Sequence, residues 1–135
     1  MSEARHALMS AVHAALMADG GLAGILAGGR VYDRVPRGAD HPFVAFGEVA
    51  SAPLDGDAGG PVEHRLEILV HSRAEGRREA SDVANRVREV LDGAALTLSG
   101  HRLAGLRHRD TVVSASRDGR AYRARLRFRA LTETI

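Results

Sequence analysis

The most constraining feature of this sequence is an uninterrupted alternation of apolar residues and arginines near its C-terminal end. It runs from Tyr122 to Ala130. Successive side chains of a strand point to opposite faces of a sheet, so this segment predicts a strand with one core-facing side and one cationic side. The apolar side consists of Tyr122, Ala124, Leu126, Phe128 and Ala130, and the cationic side consists of Arg123, Arg125, Arg127 and Arg129.

The four guanidinium groups of the cationic side lie about 7 Å apart along the strand and repel one another. Acidic side chains on adjacent strands, an acidic partner or a polyanion would compensate them. We therefore take the four arginines as candidates for a subunit interface or for a lining that contacts nucleic acid. The alternative is a solvated face of an antiparallel sheet, which needs no partner.

The length and composition of the chain limit its domain number and the kinds of site it can contain. Its 135 residues predict a single domain over residues 1–135. There is no cysteine, which excludes disulfides and thiolate metal sites. All 19 basic residues are arginine, yet the net charge is only +2, so the total charge is weak evidence for nucleic-acid binding.

Hydrophobic periodicity predicts an α+β fold, with a single antiparallel or mixed β-sheet and two main helices packed on one face. The predicted order is α-β-β-β-α-β-β-β. The helices are expected at residues 3–19 and 73–92, and the strands at 30–36, 43–50, 63–71, 96–98, 103–116 and 122–130. Pro36 predicts that the first strand ends there or lies at an edge, and Asp118-Gly119 predicts a hairpin turn.

The sequence also predicts which side chains share a face of a strand, where the second main helix begins and where a loop lies. Strict alternation places Val49 on the same side as Phe43 and Ala45, and places His108 and Asp110 on one face. Ser72, with a glutamate three residues later, predicts a capping box that opens the second main helix. The composition of residues 51–62 predicts a long flexible loop.

No catalytic constellation is present in the sequence. It lacks a cysteine nucleophile, a G-x-S-x-G motif, a P-loop and any H-E-x-x-H spacing. We therefore predict no enzyme activity, no cofactor and no metal. No apolar run approaches transmembrane length and the N-terminus lacks a signal-peptide pattern, so no membrane partner is expected and synthesis is expected in the cytoplasm.

Several short segments, taken in order, resemble the tail completion or tail terminator proteins of long-tailed bacteriophages, prophages and gene transfer agents. The resemblance covers nearly the whole chain, and the combination carries it. One departure is His71, where the family pattern favours an aromatic residue such as tryptophan. The segments are Gly29–Asp33 with Val35-Pro36, His41–Val44, Ser72-Arg73 with Gly76 and Glu79, Leu98–Leu103, and Leu126–Leu131.

This resemblance implies a structural protein of the virion or phage-like particle tail. The implied assembly is a hexameric ring at the head-proximal end of the tail tube, which ends tube polymerisation and joins the tail to the head. The implied partners are other copies of the chain, the major tail tube protein, head–tail connector proteins and, transiently and without sequence specificity, DNA in the lumen. Leu54, Asp55 and Asp57 of the predicted loop are candidates for contact with a neighbouring ring.

Two other classes of function stay open from the residues alone. A stand-alone nucleic-acid-binding α+β domain would use the arginine-rich strand face, although the sheet lacks interleaved aromatic residues for base stacking. A small enzyme would need a site that the sequence does not reveal.

Overall fold

Residues 2–56, 59–73 and 76–135, which the computed structural model describes, form three helices and a six-stranded sheet. The helices are α1 (Ser2–Ala18), α2 (Gly20–Leu26) and α3 (Arg78–Leu91). The strands are β1 (Val31–Tyr32), β2 (Phe43–Pro53), β3 (Val62–Ser72), β4 (Thr97–Leu98), β5 (His101–Ala115) and β6 (Tyr122–Thr134).

The strand order across the sheet is β1-β2-β3-β6-β5-β4. β1 runs parallel to β2, and every other neighbouring pair is antiparallel. α3 packs on β3, β5 and β6, and α1 and α2 pack on α3. The predicted α+β class, with a mixed sheet and its helices on one face, is confirmed.

The core lies between this helical layer and the sheet. α3 presents an apolar stripe because its buried residues recur at helical spacing, and the alternating residues of β3 and β6 meet that stripe. The largest buried side chains of this layer are Leu8, Leu16, Leu22, Leu26, Leu66, Ile68, Leu91, Leu106, Leu126 and Phe128.

An ion pair joins the short helix α2 to α3. The Asp19 carboxylate accepts the Leu22 backbone N–H at 2.8 Å, which caps α2, and two guanidinium nitrogens of Arg86 donate to the same carboxylate at 2.7 Å each. A Cβ at Gly21 would lie 2.9 Å from Arg86 Nε, so glycine leaves room for the pair. The Arg86 hydrogen bonds hold the pKa of Asp19 below its usual value.

Two β-bulges overturn the predictions from strict alternation. The pairing of β2 with β3 shifts register between Phe46 and Val49, so Val49 packs against the core instead of lying on the side of Phe43 and Ala45. The pairing of β5 with β6 shifts between His108 and Asp110. His108 therefore lies opposite Phe128 on the helix side, while Asp110 lies opposite an arginine on the other side.

Two boundaries also differ from the predictions. Ser72 ends β3 instead of capping a helix, and α3 begins at Arg78, with Arg77 at its N-cap. Ser72 Oγ donates to Glu79 Oε1 at 2.7 Å, so the serine contacts the first turn of α3 from the end of a strand. The rest of the predicted capping box, residues 74–75, lies outside the described residues. β2 and β3 extend into both ends of the predicted loop 51–62.

No single helix among the described residues is long and apolar enough to cross a membrane. Glu3–Ala18 and Gly20–Leu26 reach that length and composition only as a pair bent by 75°.

Candidate interface on the charged face of the sheet

The arginine row, defined as Arg123, Arg125, Arg127 and Arg129, lies on the sheet face that the helices leave uncovered, and we call this face the charged face. The alternate residues Ala124, Leu126, Phe128 and Ala130 are each at most 1% exposed on the helix side. β6 is a central strand between β3 and β5. Both neighbours therefore place side chains beside the row.

Acidic side chains from the two neighbouring strands compensate the middle and the end of the row. Arg129 Nε donates to Glu63 Oε2 of β3 at 2.6 Å, and Arg127 Nε donates to Asp110 Oδ1 of β5 at 2.9 Å. These hydrogen bonds, with the attraction between opposite charges, hold the pKa values of Glu63 and Asp110 below their usual values.

Arg125 has a looser partner. Its Nε lies 3.9 Å from Glu67 Oε2, and the same nitrogen is buried without a hydrogen bond among the described residues. Glu67 also reaches across to the bulge of β2, where a Cβ at Gly47 would lie 2.9 Å from Glu67 Oε1. Glycine at this bulge therefore lets the carboxylate lie over β2.

Arg123 differs from the other three members of the row. It forms no ion pair with any residue the structure describes, and its neighbours in the sheet are His71 of β3 and Ser114 of β5. Burial and the positive charge of Arg123 lower the pKa of His71. This end of the charged face is therefore uncompensated.

The charged face is concave around its centre. A depression of about 240 Å³ is lined by residues from β2, β3, β5 and β6, with acidic and basic side chains mixed. Bulges in both outer long strands increase their local twist and bend, which favours such curvature. In the part of the chain the structure covers, no three histidine or acidic side chains group as a metal site. The geometry fits contact with another surface.

The candidate loop residues lie at the end of the sheet away from the β5–β6 hairpin turn. Leu54 follows β2 directly, its N–H donates to the Pro61 carbonyl at 2.8 Å, and its side chain is 43% exposed. Asp55 is also exposed. Asp57 lies outside the described residues, so its part in the prediction stays untested.

Sequence reasoning identified the arginine row and missed the residues that neutralise most of it. Glu63 and Glu67 alternate with Arg65 along β3, and this pattern is visible in the sequence. That the two glutamates lie beside the arginine row follows only from the pairing of β3 with β6. Asp110 gave no such signal, because a bulge places it on the charged face.

Comparison with known proteins agrees with this architecture. Residues 10–133 match the family described as "Tail completion protein gp17". A chain of the solved "Virion of native gene transfer agent (GTA) particle" is 34% identical, with a TM-score of 0.87 and coverage of 96% of each chain. The "Structure of bacteriophage SPP1 gp17 protein" is 22% identical, with a TM-score of 0.62 and coverage of 98% of this chain and 91% of that one, which shows the shared fold. No curated protein matches significantly.

The resemblance drawn from the sequence is thereby confirmed, as is the prediction of a structural component of a phage-like particle instead of an enzyme. The chain belongs to the family of tail completion proteins described as gp17.

Proposed function

We propose that this tail completion protein forms a closed ring at the head-proximal end of the tail tube. The ring ends polymerisation of the major tail tube protein, joins the tail to the head–tail connector and leaves a lumen through which DNA passes. The observation that carries this proposal is a pair of open strand edges on opposite sides of the sheet.

The two edge strands of the sheet are too short to cover their neighbours. β1 pairs only with Val44 and Ala45 of β2, and β4 pairs only with His101 and Arg102 of β5. Two contacts from the chain after α3 reach β5: Gly93 N–H donates to the Leu106 carbonyl and His108 N–H donates to Asp92 Oδ1. Beyond them, one side of β5 has no strand partner among the described residues.

The open edges end in two segments without a charged residue, Val49–Pro53 of β2 and Thr111–Ala115 of β5, whereas Glu48, Arg109 and Asp110 lie just before them. An open edge exposes backbone N–H and C=O groups that favour pairing with another strand, and proteins usually protect such edges with charges. A head-to-tail contact uses a different edge from each copy and so generates rings when the rotation closes. The two open segments fit that kind of contact.

Strand directions and register fit the same arrangement. β2 and β5 run antiparallel, so a neighbouring copy that continues the sheet pairs antiparallel with it. Ser51 lies level with Ala130 of β6 and Val113 lies level with Ala124, so the open segments are offset by about 20 Å along the strands. One copy contributes four strand spacings of about 4.8 Å to the circumference of the ring, counting the step to the next copy. An offset of about 20 Å over that width tilts the strands by about 45° from the ring axis, near the range in which sheets close into barrels.

In such a ring the helices lie outside and the charged face lines the lumen. Most of the arginine row is already paired with acidic residues, so the lining is a mixture of both charges instead of a continuous cationic strip. That mixture suits DNA that must move through without being held, and it gives less support to a stand-alone nucleic-acid-binding domain. Leu54 and Asp55 lie at one rim, where contact with a neighbouring ring is available.

Cysteine cross-linking tests the edge pairing directly, because the chain has no native cysteine. With Ser51 opposite Val113, Ala50 lies opposite Ser114, and both side chains are exposed on the charged face. We expect oxidised Ala50→Cys/Ser114→Cys protein to give a covalent ladder on a non-reducing gel, ending at the number of copies in the ring, which the family resemblance puts at six. Cross-strand Cβ distances permit such disulfides.

Two controls separate the possible failures. The variant Ala50→Cys/Ala104→Cys keeps one exposed cysteine on each of β2 and β5 but lies outside the paired register, and it should give no ladder. Light scattering of the wild-type chain, alone and with tube protein, reports the ring itself. A chain that stays monomeric in both conditions contradicts the ring, whereas a ring without a ladder contradicts only the pairing of these two edges.

A further inference from the structure

We propose that phosphate groups of DNA bind at one end of the charged face, in a basic depression formed by the β5–β6 hairpin and the end of β3. This proposal rests on the proposed passage of DNA through the ring. It assigns the phosphate contacts to a site that contains only one member of the arginine row, Arg123. The depression is lined by His71, Ser114–Arg117 and Ala121–Arg123, and its volume is about 350 Å³.

The two depressions on the charged face differ in their charge. Glu48, Glu67 and Asp110 contribute to the lining of the central one, together with arginines. Among the described residues, no acidic one lines the basic depression, and Arg117 and Arg123 are exposed there and form no ion pair with any of them. An anion can therefore bind the two guanidinium groups of the basic depression without breaking an ion pair.

Residues around the basic depression add to its positive field. Arg73 lowers the pKa of His41, after the larger effect of burial and against the opposing charges of Asp40 and Glu79, and Arg123 lowers the pKa of His71, again after burial. The hairpin turn itself contains one acid, Asp118. Its carboxylate already accepts the Ser116 hydroxyl at 2.6 Å and the Arg120 N–H at 3.1 Å, and it does not line the depression.

The surrounding chemistry favours phosphate over a base or an apolar ligand. Arginine presents planar donors that match phosphate oxygens, and Ser114 adds a hydroxyl on the same lining. The lining has one aromatic ring besides His71, that of Tyr122, and it faces the Arg77 guanidinium at 5.6 Å. Such contacts to the DNA backbone carry no sequence information, which fits a strand in transit.

The test compares two variants of the full chain that lose the same charge. Arg117→Ala/Arg123→Ala removes both unpaired guanidinium groups of the depression, and Arg78→Ala/Arg88→Ala removes two arginines from α3, on the helix side. Binding of a 30-bp DNA duplex is measured by fluorescence anisotropy between 50 and 200 mM salt, with a second, unrelated duplex as a check on sequence. Circular dichroism of both variants checks the fold.

We expect Arg117→Ala/Arg123→Ala to weaken binding at 50 mM salt by about tenfold and to reduce the slope of log affinity against log salt by about two, one unit for each lost phosphate contact. Arg78→Ala/Arg88→Ala should change affinity less than threefold. Equal losses in both variants, or no binding by the wild type at 50 mM salt, overturn the proposal.

Preference of the wild type for polyglutamate over the duplex also overturns it, in favour of an acidic protein partner. Light scattering under the same conditions reports the oligomeric state, so loss of the ring is distinguished from loss of this site.

Discussion

Replacing Phe128 with alanine is expected to lower the free energy of unfolding by about 3–5 kcal/mol. Phe128 is 1% exposed, ranks among the largest fully buried side chains and contacts the His108 ring edge-on at 5.4 Å between centroids. Removing the ring loses its burial and leaves a cavity that α3 and the central strands cannot fill without moving. Urea denaturation at a protein concentration that keeps the chain monomeric measures the loss.

The matched control is the next residue along β6. Arg127→Ala keeps the same strand and removes a side chain of similar length, but on the charged face, where its pair with Asp110 is exposed to solvent. Exposed ion pairs contribute little to stability, so we expect a loss much smaller than that of Phe128→Ala and a native circular dichroism spectrum. A loss in Arg127→Ala equal to that in Phe128→Ala would mean that the charged face is buried within the subunit.

The contrast between these neighbouring residues shows what the sequence predicts well. Alternation in β6 is a local property, so it assigned Leu126 and Phe128 to the core and Arg125 and Arg127 to the other face. The same rule failed at Val49 and Asp110, because a bulge adds one residue and reverses every later side chain. Nothing in the alternation itself marks where a bulge occurs.

Compensation of the arginine row depends on contacts between segments that are distant in the sequence. Glu63 lies 66 residues from Arg129, and it reaches that arginine only because β3 pairs with β6 in one particular register. The sequence predicted that something must neutralise the row and left acidic neighbours as one possibility among several. The structure identifies those neighbours for three of the four arginines and leaves Arg123 without one.

The start of α3 illustrates a different limit. Ser72 has the spacing of a capping residue, but the strand alternation of β3 continues through it, since Ser72 is buried and paired with Tyr122. Tertiary pairing therefore extended the strand at the expense of a local helix signal. In contrast, Gly93 has φ +73° just after Asp92, the C-cap of α3, which is the position where a glycine commonly ends a helix.

One buried histidine, His64, is also expected to lower the stability of the chain by about 3 kcal/mol as the pH is lowered from 6.5 to 4, in addition to the contributions of His41 and His71, whose pKa values are lowered as well. His64 is fully buried on the helix side of β3, where its Nδ1 contacts Ser51 Oγ at 2.7 Å and its Nε2 contacts Thr132 Oγ1 at 2.9 Å. Burial, together with the positive charges of Arg5 and His101, lowers the pKa of His64 from 6.5 to about 4.

The direction of this pH dependence follows from the protonation of His64 in the folded and unfolded chains. Below pH 6.5 the unfolded chain takes up a proton at His64, but the folded chain does not until about pH 4, so acid favours unfolding throughout that interval. The slope is about 1.4 kcal/mol per pH unit, and His64 contributes no pH dependence well above 6.5. Arg5 Nε already donates to Ser51 Oγ at 3.1 Å, which leaves the Ser51 hydroxyl free to donate to the neutral ring.

Variants at two histidines separate this effect from general acid denaturation. His64→Gln removes the titrating group, so its unfolding free energy, measured by urea denaturation from pH 4 to pH 8, should start lower than that of the wild type at pH 8 and approach it near pH 4. His6→Gln, at an exposed position of α1, should retain the wild-type slope. If His64→Gln instead loses stability in parallel with the wild type at every pH, then the folded chain takes up the His64 proton over the same pH range as the unfolded chain, and the hydrogen bonds to Ser51 and Thr132 hold an imidazolium below about pH 6.5.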